Sequence, residues 1–257
     1  MRGPLAACWI VAALAASPAR GLSPVETEQV VRGVDARQAS LGDYKADCYM
    51  EQKEQGKTDL VYELVVYRRD ADEKLMLLFT APRTEQGKGY LRADKNLWFY
   101  DPTVGRWERR TERERIGGTD ARRNDFDESR LDEEYHAVWE KDGTLGVYEV
   151  HQLLLTVKPG VDVAYPQVRL WVDGASGNVL KRQDLAASGK LLRTSLYPRW
   201  KKVWSESKRG ELWYPEEIRV YDELERGSST RIVVRAVDLR PLETNLFTKA
   251  FLEGKSR

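Results

Sequence analysis

Few side chains of this sequence have the spacing of a catalytic site. Gly56-Lys57-Thr58 matches the end of a phosphate-binding loop, in which backbone amides surround a phosphate group. That motif requires another glycine at position 51, and Glu51 stands there instead. The Gly-x-Ser-x-Gly turn that presents a nucleophilic serine in many hydrolases does not occur in the chain. Residues 55–57 are therefore predicted to form a hairpin turn between two strands.

The residue types that bind metals are also scattered. His136 and His151 do not have the spacing of metal ligands, and Cys48 stands alone. We expect His136 at the surface or half-buried, and Cys48 as a small apolar residue of the core. Carboxylate pairs such as Glu133-Glu134 and Glu216-Glu217 are predicted to lie on a solvated face, because 32% of the chain is charged. The sequence predicts no metal and no cofactor; a hydrolase with an unrecognised site stays as an alternative.

The composition excludes further classes of protein. The net charge is +1 at pH 7, whereas a nucleic-acid-binding protein would carry a clear excess of basic residues. Cys48 is the only cysteine after residue 22, so no internal disulfide is expected and the core itself must stabilise the fold.

The first 22 residues predict export from the cytoplasm. A basic start at Arg2 is followed by the uncharged apolar run Leu5 to Ala16 and then by small residues. This pattern is typical of a secretory signal peptide, and the run is too short for a permanent membrane-spanning helix. Cleavage is expected after Ala19 or Gly21. We therefore expect a signal peptide over residues 1–21 and a protein that works outside the cytoplasm.

One alternative concerns the cysteine of that segment. Leu5-Ala6-Ala7-Cys8 has the residues of a bacterial lipobox, but Cys8 lies near the start of the apolar run rather than after it. We therefore expect no lipid on Cys8. After cleavage, residues 22–257 are predicted to form a single domain rich in β-structure.

The elements of this domain follow from hydrophobic periodicity and turn residues. A capping box at Ser23 and Glu26, with Pro24 at the first helical position, predicts a helix over residues 24–38. A second helix is predicted over residues 125–139. The predicted strands are 59–67, 74–80, 89–91, 96–100, 146–157, 168–172, 179–185, 191–197, 201–205, 217–221 and 230–237. Their short spacing predicts an antiparallel meander.

Several motifs occur in an order that resembles a known family. They are Phe79 to Pro82, Gly87 to Leu91, Asn96 to Pro102, Arg109-Arg110, Gly118 to Asp120, Asp125-Phe126, Leu131, Tyr135, Val168 to Asp173, and Asn245 to Thr248 with Leu252. Together they resemble the outer-membrane lipoprotein-sorting protein family, which is related to the periplasmic carrier LolA. One departure is the insertion Ala121 to Asn124, where the family pattern is contiguous.

The resemblance implies a fold and a function. It implies a mainly β fold, an unclosed antiparallel β-barrel of about 11 strands lidded by short α-helices, with a hydrophobic interior. It further implies a monomeric periplasmic carrier or chaperone that shields the acyl chains of a lipoprotein or lipid. An inner-membrane exporter and transient membrane contact are the expected partners. The alternative is a non-enzymatic envelope scaffold, or an accessory subunit of a lipid-exporting transporter, with a solidly packed interior.

Candidate site residues follow from these motifs. The expected groove residues are Trp98, Tyr100, Phe126, Leu131, Tyr135 and Trp171. Phe126, Leu131 and Tyr135 would share one face of the second predicted helix, whereas strand alternation does not tell which sheet face carries Trp98 and Trp171. In the arginine-rich run 106–123, Arg109 and Arg110 are the expected docking residues for anionic headgroups or a partner protein. An ordinary exposed hairpin is the alternative for that run.

Overall fold

The computed structural model describes residues 21–39, 41–93, 96–111, 114–127, 129–225 and 227–255. The predicted signal segment up to Arg20, with Cys8 and the Ala19 cleavage site, lies outside these ranges. Within them, no helix combines the length and the apolar character that a membrane crossing requires.

One sheet of 13 antiparallel strands organises the described chain. The strands are β1 (Asp43–Glu54), β2 (Leu60–Arg69), β3 (Lys74–Ala81), β4 (Gly89–Ala93), β5 (Asn96–Asp101), β6 (Arg106–Arg110), β7 (Tyr135–Leu145), β8 (Tyr148–Val157), β9 (Gln167–Asp173), β10 (Val179–Leu185), β11 (Leu191–Ser205), β12 (Gly210–Asp222) and β13 (Ser228–Asp238). Their order in the sheet is β6-β5-β4-β3-β2-β1-β13-β12-β11-β10-β9-β8-β7. The sheet is not closed into a barrel, which confirms the predicted fold class.

Two faces of the sheet have different coverings. We define the inner face as the one that carries every second residue of β1 from Tyr44 to Gln52. All of these residues are buried. Two hydrophobic clusters lie on it. The first cluster gathers residues of β1–β5, β12 and β13, among them Met50, Leu77 and Val220. The second cluster gathers residues of β7–β10 and the N-terminal helix, among them Leu153 and Leu170.

In the described ranges, three α-helices accompany the sheet: α1 (Pro24–Ala39), α2 (Leu131–Glu134) and α3 (Lys249–Lys255). The predicted capping box of α1 is present, since the Ser23 amide donates to the Glu26 carboxylate at 2.7 Å and the Glu26 amide donates to Ser23 Oγ at 3.3 Å. Val31 and Val34 of α1 pack into the second cluster. On the outer face, Leu252 of α3 packs on β3 and β4 in a third cluster.

The predicted helix over residues 125–139 is wrong. Among the residues of that range that the structure describes, only α2 is α-helical, and Tyr135 already begins β7, opposite Val157 of β8. From Tyr135 to Trp139 the less exposed residues Tyr135, Ala137 and Trp139 alternate with exposed ones, a period of two that pairing with β8 selects over a helix. The N-terminus of α2 is capped by a residue of α1: the Asp35 carboxylate accepts hydrogen bonds from the backbone amides of Leu131 and Asp132.

The structure also has more strands than the sequence predicted. β1, β6 and β7 were not among the predicted strands, while 191–197 and 201–205 both belong to β11. β11 passes through Pro198 at an irregular register, a position where a strand tolerates proline. β1 was difficult to predict as a strand because its buried residues include Ala46, Cys48 and Gln52, which are not strong strand formers.

Candidate functional site: a cavity on the inner face

A cavity of about 700 Å³ lies between the first and second clusters on the inner face. Its volume is within the range of about 300–1,000 Å³ that is typical of small-molecule sites. The central strands β1, β2, β12 and β13 supply one wall of the cavity, α1 and the segment from Arg123 to Tyr135 supply another, and the β11–β12 hairpin contributes to its rim.

The wall formed by the central strands is apolar. Its lining residues include Cys48, Val66, Ile218, Ile232 and Val234, all buried and contributed by alternation of the four strands. Burial raises the pKa of the Cys48 thiol to about 12, so the thiol stays neutral and behaves as an apolar group. This confirms the expected core position of Cys48. The wall offers a preformed apolar surface.

Aromatic side chains continue the cavity beyond this wall. Trp200 of β11 and Trp213 of β12 line it, and Tyr197 lies beside them with its ring 6.0 Å from that of Trp200. Burial raises the pKa of Tyr197 to about 12. The phenol is therefore neutral and can donate a hydrogen bond within the cavity.

Ion pairs line the remaining wall. Arg92 of β4 reaches Asp127 at 3.3 Å, and Asp127 also pairs with Arg123. Arg68 pairs with Asp70 at 2.7 Å. These arginines and carboxylates largely neutralise one another, so the cavity has an apolar side and a polar, charge-balanced side. Such a surface suits an amphiphilic ligand better than a free ion.

Arg182 of β10 extends this polar side toward the second cluster. Its Nε atom lies 2.7 Å from the carboxylate of Asp184. Arg193, which does not line the cavity, pairs with the same carboxylate at 3.3 Å and with Asp125. Because Asp125 belongs to the segment over the cavity, this network fixes that segment to the sheet.

A buried polar anchor holds the residues just before this segment. The Asp120 amide donates to Gln52 Oε1 at 2.9 Å and to Thr230 Oγ1 at 2.8 Å, and Ser228 Oγ donates to the Asp120 carboxylate at 2.8 Å. Burial raises the pKa of Asp120. Gly118 to Asp120, one of the motifs that carried the resemblance, thus attaches the chain to β1 and β13.

Three predicted groove residues do meet at the cavity. Phe126, Leu131 and Tyr135 all line it, although they belong to a turn, to α2 and to the start of β7 rather than to one helix face. Tyr135 donates a hydrogen bond to the Tyr165 carbonyl oxygen at 3.0 Å, and burial raises its pKa to about 12. Their role in ligand binding stays a prediction.

The other three predicted groove residues lie on the outer face, away from the cavity. Trp98 is covered by Lys249 of α3, whose Nζ lies 3.8 Å from the ring centroid. Tyr100 packs against Trp107 at 4.9 Å between centroids. Trp171 lies beneath Lys181 at 4.5 Å. The inner-face positions of β5 belong to Leu97 and Phe99, and those of β9 to Val168, Leu170 and Val172.

The predicted docking pair is divided between the two faces of β6. Arg109 is exposed and lies opposite Trp98 in the register. Arg110 instead stacks over Phe99 at 5.3 Å and pairs with Glu108 at 2.6 Å. The run 106–123 is also not one exposed hairpin, since Ile116 is fully buried.

Two carboxylates predicted to lie on a solvated face do not lie on one. Glu134 lines the cavity, and burial raises the pKa of its carboxyl. Glu217 is 2% exposed on the outer face, where Arg199, Arg219 and Arg231 surround it at 2.5, 2.8 and 2.8 Å. Arg199 and Arg231 come from the two neighbouring strands, so no local sequence signal identifies them, whereas Arg219 lies on the same strand as Glu217. His136 is exposed, as expected.

One group of carboxylates has the geometry of metal ligands. The carboxylate oxygens of Asp120, Asp222 and Glu225 lie within 4.8 Å of one another. Arg115 lies among them, 3.6 Å from Asp120, 2.8 Å from Asp222 and 3.3 Å from Glu225. Its guanidinium provides the positive charge that these carboxylates require, so the group is an ion-pair network.

Solved structures of similar fold come from several bacteria. A LolA superfamily protein of Nitrosomonas europaea has 21% identity and a TM-score of 0.73, and the match covers 88% of this chain and 98% of that one. A domain of Vibrio parahaemolyticus, named for outer-membrane lipoprotein sorting, has 20% identity, a TM-score of 0.76 and coverage of 90% and 100%. A DUF1329 family protein of Desulfovibrio piger has 18% identity, a TM-score of 0.75 and coverage of 88% and 99%.

At these identities the similarity establishes a shared fold. No protein with a curated description matches the chain. A family model described as "-like: Uncharacterized protein" matches residues 71–254, which is most of the chain. The chain therefore belongs to the family of that model and has the fold of the LolA superfamily, as the order of its sequence motifs predicted.

Proposed function

We propose that the protein is a periplasmic carrier or chaperone that shields the acyl chains of a lipoprotein or lipid during transport through the envelope. The observation that carries this proposal is the cavity of about 700 Å³ with an apolar wall on the inner face. A scaffold domain would fill this space with its own side chains. The open cavity therefore favours a carrier over a scaffold.

The physical requirement on such a carrier is clear. Exposing apolar surface to water costs about 25 cal/mol per Å², so an acyl chain needs an apolar surface that is already formed. Val66, Ile232 and Val234 offer that surface, and the neutral Cys48 thiol does not interrupt it. Binding and release then need no bond to be made or broken.

The polar side of the cavity fits the other end of an amphiphile. The neutral hydroxyl of Tyr197 and the guanidinium of Arg182 are donors that an ester or a headgroup oxygen can use. We further propose an inner-membrane exporter as the source of the cargo, transient membrane contact during exchange, and a monomeric carrier.

The test is binding of a fluorescent fatty acid to the purified protein, together with mass spectrometry of lipid that co-purifies with it. Val234→Phe places a larger side chain in the cavity and should weaken binding of the probe at least about tenfold. Val233→Phe is the matched control, because Val233 is the neighbouring residue of β13 on the outer face. It should leave the affinity unchanged.

A second variant tests the segment over the cavity. Phe126→Ala should weaken probe binding more than it lowers the melting temperature, because the ring is both buried and part of the lining. A ring that is only core would instead cost about 3–5 kcal/mol of stability and leave binding by the folded fraction intact. If no lipid co-purifies and Val234→Phe binds the probe as the wild type does, the scaffold function is correct.

A further inference from the structure

The β11–β12 hairpin extends beyond the strands on either side of it. β10 pairs with β11 only as far as Leu196, and β13 pairs with β12 only as far as Glu217. Beyond these positions the two strands pair only with each other, to Ser205 opposite Gly210. On one side of this extension, Val203 and Leu212 pack against the first cluster. The extension therefore has a fixed orientation.

The other side of the extension is a row of tryptophans. Alternation and register place Trp200, Trp213 and Trp204 on one face, in that order toward the tip. Trp200 and Trp213 line the cavity, whereas Trp204 lies beyond it and is 58% exposed. An indole left exposed at the end of an aromatic row is typical of a surface that meets the interface between water and lipid.

Basic residues outnumber acidic ones at this tip: Lys202, Lys208 and Arg209 stand against Glu206 and Glu211, and Glu211 lies opposite Trp204. Lys202 lies 5.1 Å over the Trp213 ring and 3.0 Å from Glu211. At the turn, Lys208 and Arg209 are exposed and have no ion-pair partner within the described part of the chain. Free cations beside an exposed indole match a bilayer of anionic lipids, in which the ring lies at the headgroups and the cations bind phosphates.

We propose that the tip of this hairpin, residues 202–211, docks on a bilayer surface that contains anionic phospholipid. Trp204 lies at headgroup depth, and Lys208 and Arg209 contact the lipid phosphates. Because Trp200 and Trp213 of the same hairpin line the cavity, docking brings the cavity to the membrane surface. The inference rests on the membrane contact of the proposed function and assigns that contact to one hairpin, although vesicle binding by the tip does not require the cavity to hold lipid.

The test is co-flotation with vesicles of phosphatidylethanolamine and phosphatidylglycerol in equal amounts, and with vesicles of phosphatidylcholine alone. Wild-type protein should bind the first and not the second, and binding should weaken with salt. Trp204→Ser and Lys208→Glu should each lower the partition coefficient about tenfold or more. Val147→Ser and Lys190→Glu are the controls, because both residues are exposed on turns outside the hairpin, and both variants should bind as the wild type does.

Each outcome decides the proposal. Equal binding by wild type, Trp204→Ser and Lys208→Glu would overturn it, as would failure of the wild type to bind the anionic vesicles. If the wild type binds a protein partner but no vesicles, and Trp204→Ser no longer binds that partner, the tip is a protein interface instead. Fatty-acid binding without vesicles should be unchanged in Trp204→Ser, so failure here is distinguishable from failure of the carrier function.

Discussion

Glu217 joins three strands through one carboxylate, and its replacement should change stability in a pH-dependent way. The side chain is buried at the base of the β11–β12 hairpin, among Arg199, Arg219 and Arg231. Burial alone would raise the pKa of Glu217, but hydrogen bonds from Arg231 and Arg219 outweigh burial and lower the pKa from 4.5 to about 2. The ionised form is thus strongly favoured in the folded protein.

The size of the effect follows from linkage between proton binding and folding. A fall of the pKa from 4.5 to about 2 corresponds to about 3 kcal/mol of stabilisation at neutral pH. The arginine side chains are 43–49% exposed, so solvent screening lowers the expected value to about 2 kcal/mol. Because the folded pKa is the lower one, this stabilisation is present above pH 4.5 and is lost as the pH falls toward 2.

The assay is urea unfolding of the wild type and of Glu217→Gln at several pH values. The variant should be less stable at pH 7 by about 2 kcal/mol and the difference should fall to below about 1 kcal/mol near pH 3. Glu216→Gln is the matched control, since its partners Arg199 and Lys201 are exposed, and it should cost about 1 kcal/mol or less. A Glu217→Gln difference that is the same at both pH values would refute the linkage argument.

Three further predictions concern single side chains. Cys48 should react with iodoacetamide at pH 8 at least about 100-fold more slowly than free cysteine, because its raised pKa leaves little thiolate; a comparable rate would contradict the burial of the thiol. Glu134→Gln should raise the melting temperature at pH 7 but not at pH 4, because burial raises the pKa of this carboxyl and penalises its ionised form; a lower melting temperature at pH 7 would show that its arginine neighbours dominate. Arg110→Glu should lower stability in urea because it loses the contact with Phe99, whereas Arg109→Glu should not; equal effects would be inconsistent with their opposite faces.

Elements with strong local signals were predicted well from the sequence. α1 was predicted within a residue because its cap is local, and the strands from β8 to β10 were predicted because apolar residues alternate and a turn separates β9 from β10. The helix predicted over residues 125–139 failed for the opposite reason. Its residues fit a helical period, but pairing of Tyr135 and its neighbours with β8 decided the structure.

The candidate site was predictable only in part. Phe126, Leu131 and Tyr135 could be predicted near the cavity that they line, because they belong to the motifs that carried the resemblance. Trp98 and Trp171 did not, because alternation tells which residues share a face but not which face the rest of the chain covers. The apolar wall was missed for a related reason, since Cys48 and Val234 become neighbours only through the sheet order.

That order places the first and the last strand of the described sheet side by side. β1 and β13 pair from Lys45 opposite Asp238 to Glu54 opposite Ser228, so the central ladder joins distant parts of the chain. The meanders β1–β6 and β7–β13 can each form from local contacts, whereas this ladder must await the last strand, and such long-range pairing is slow. Until then both central strands are open edges that can pair with other chains. Since the apolar wall spans this ladder, the cavity is completed only at the end of folding, and a chain truncated before β13 would have two separate parts of the wall and no complete cavity.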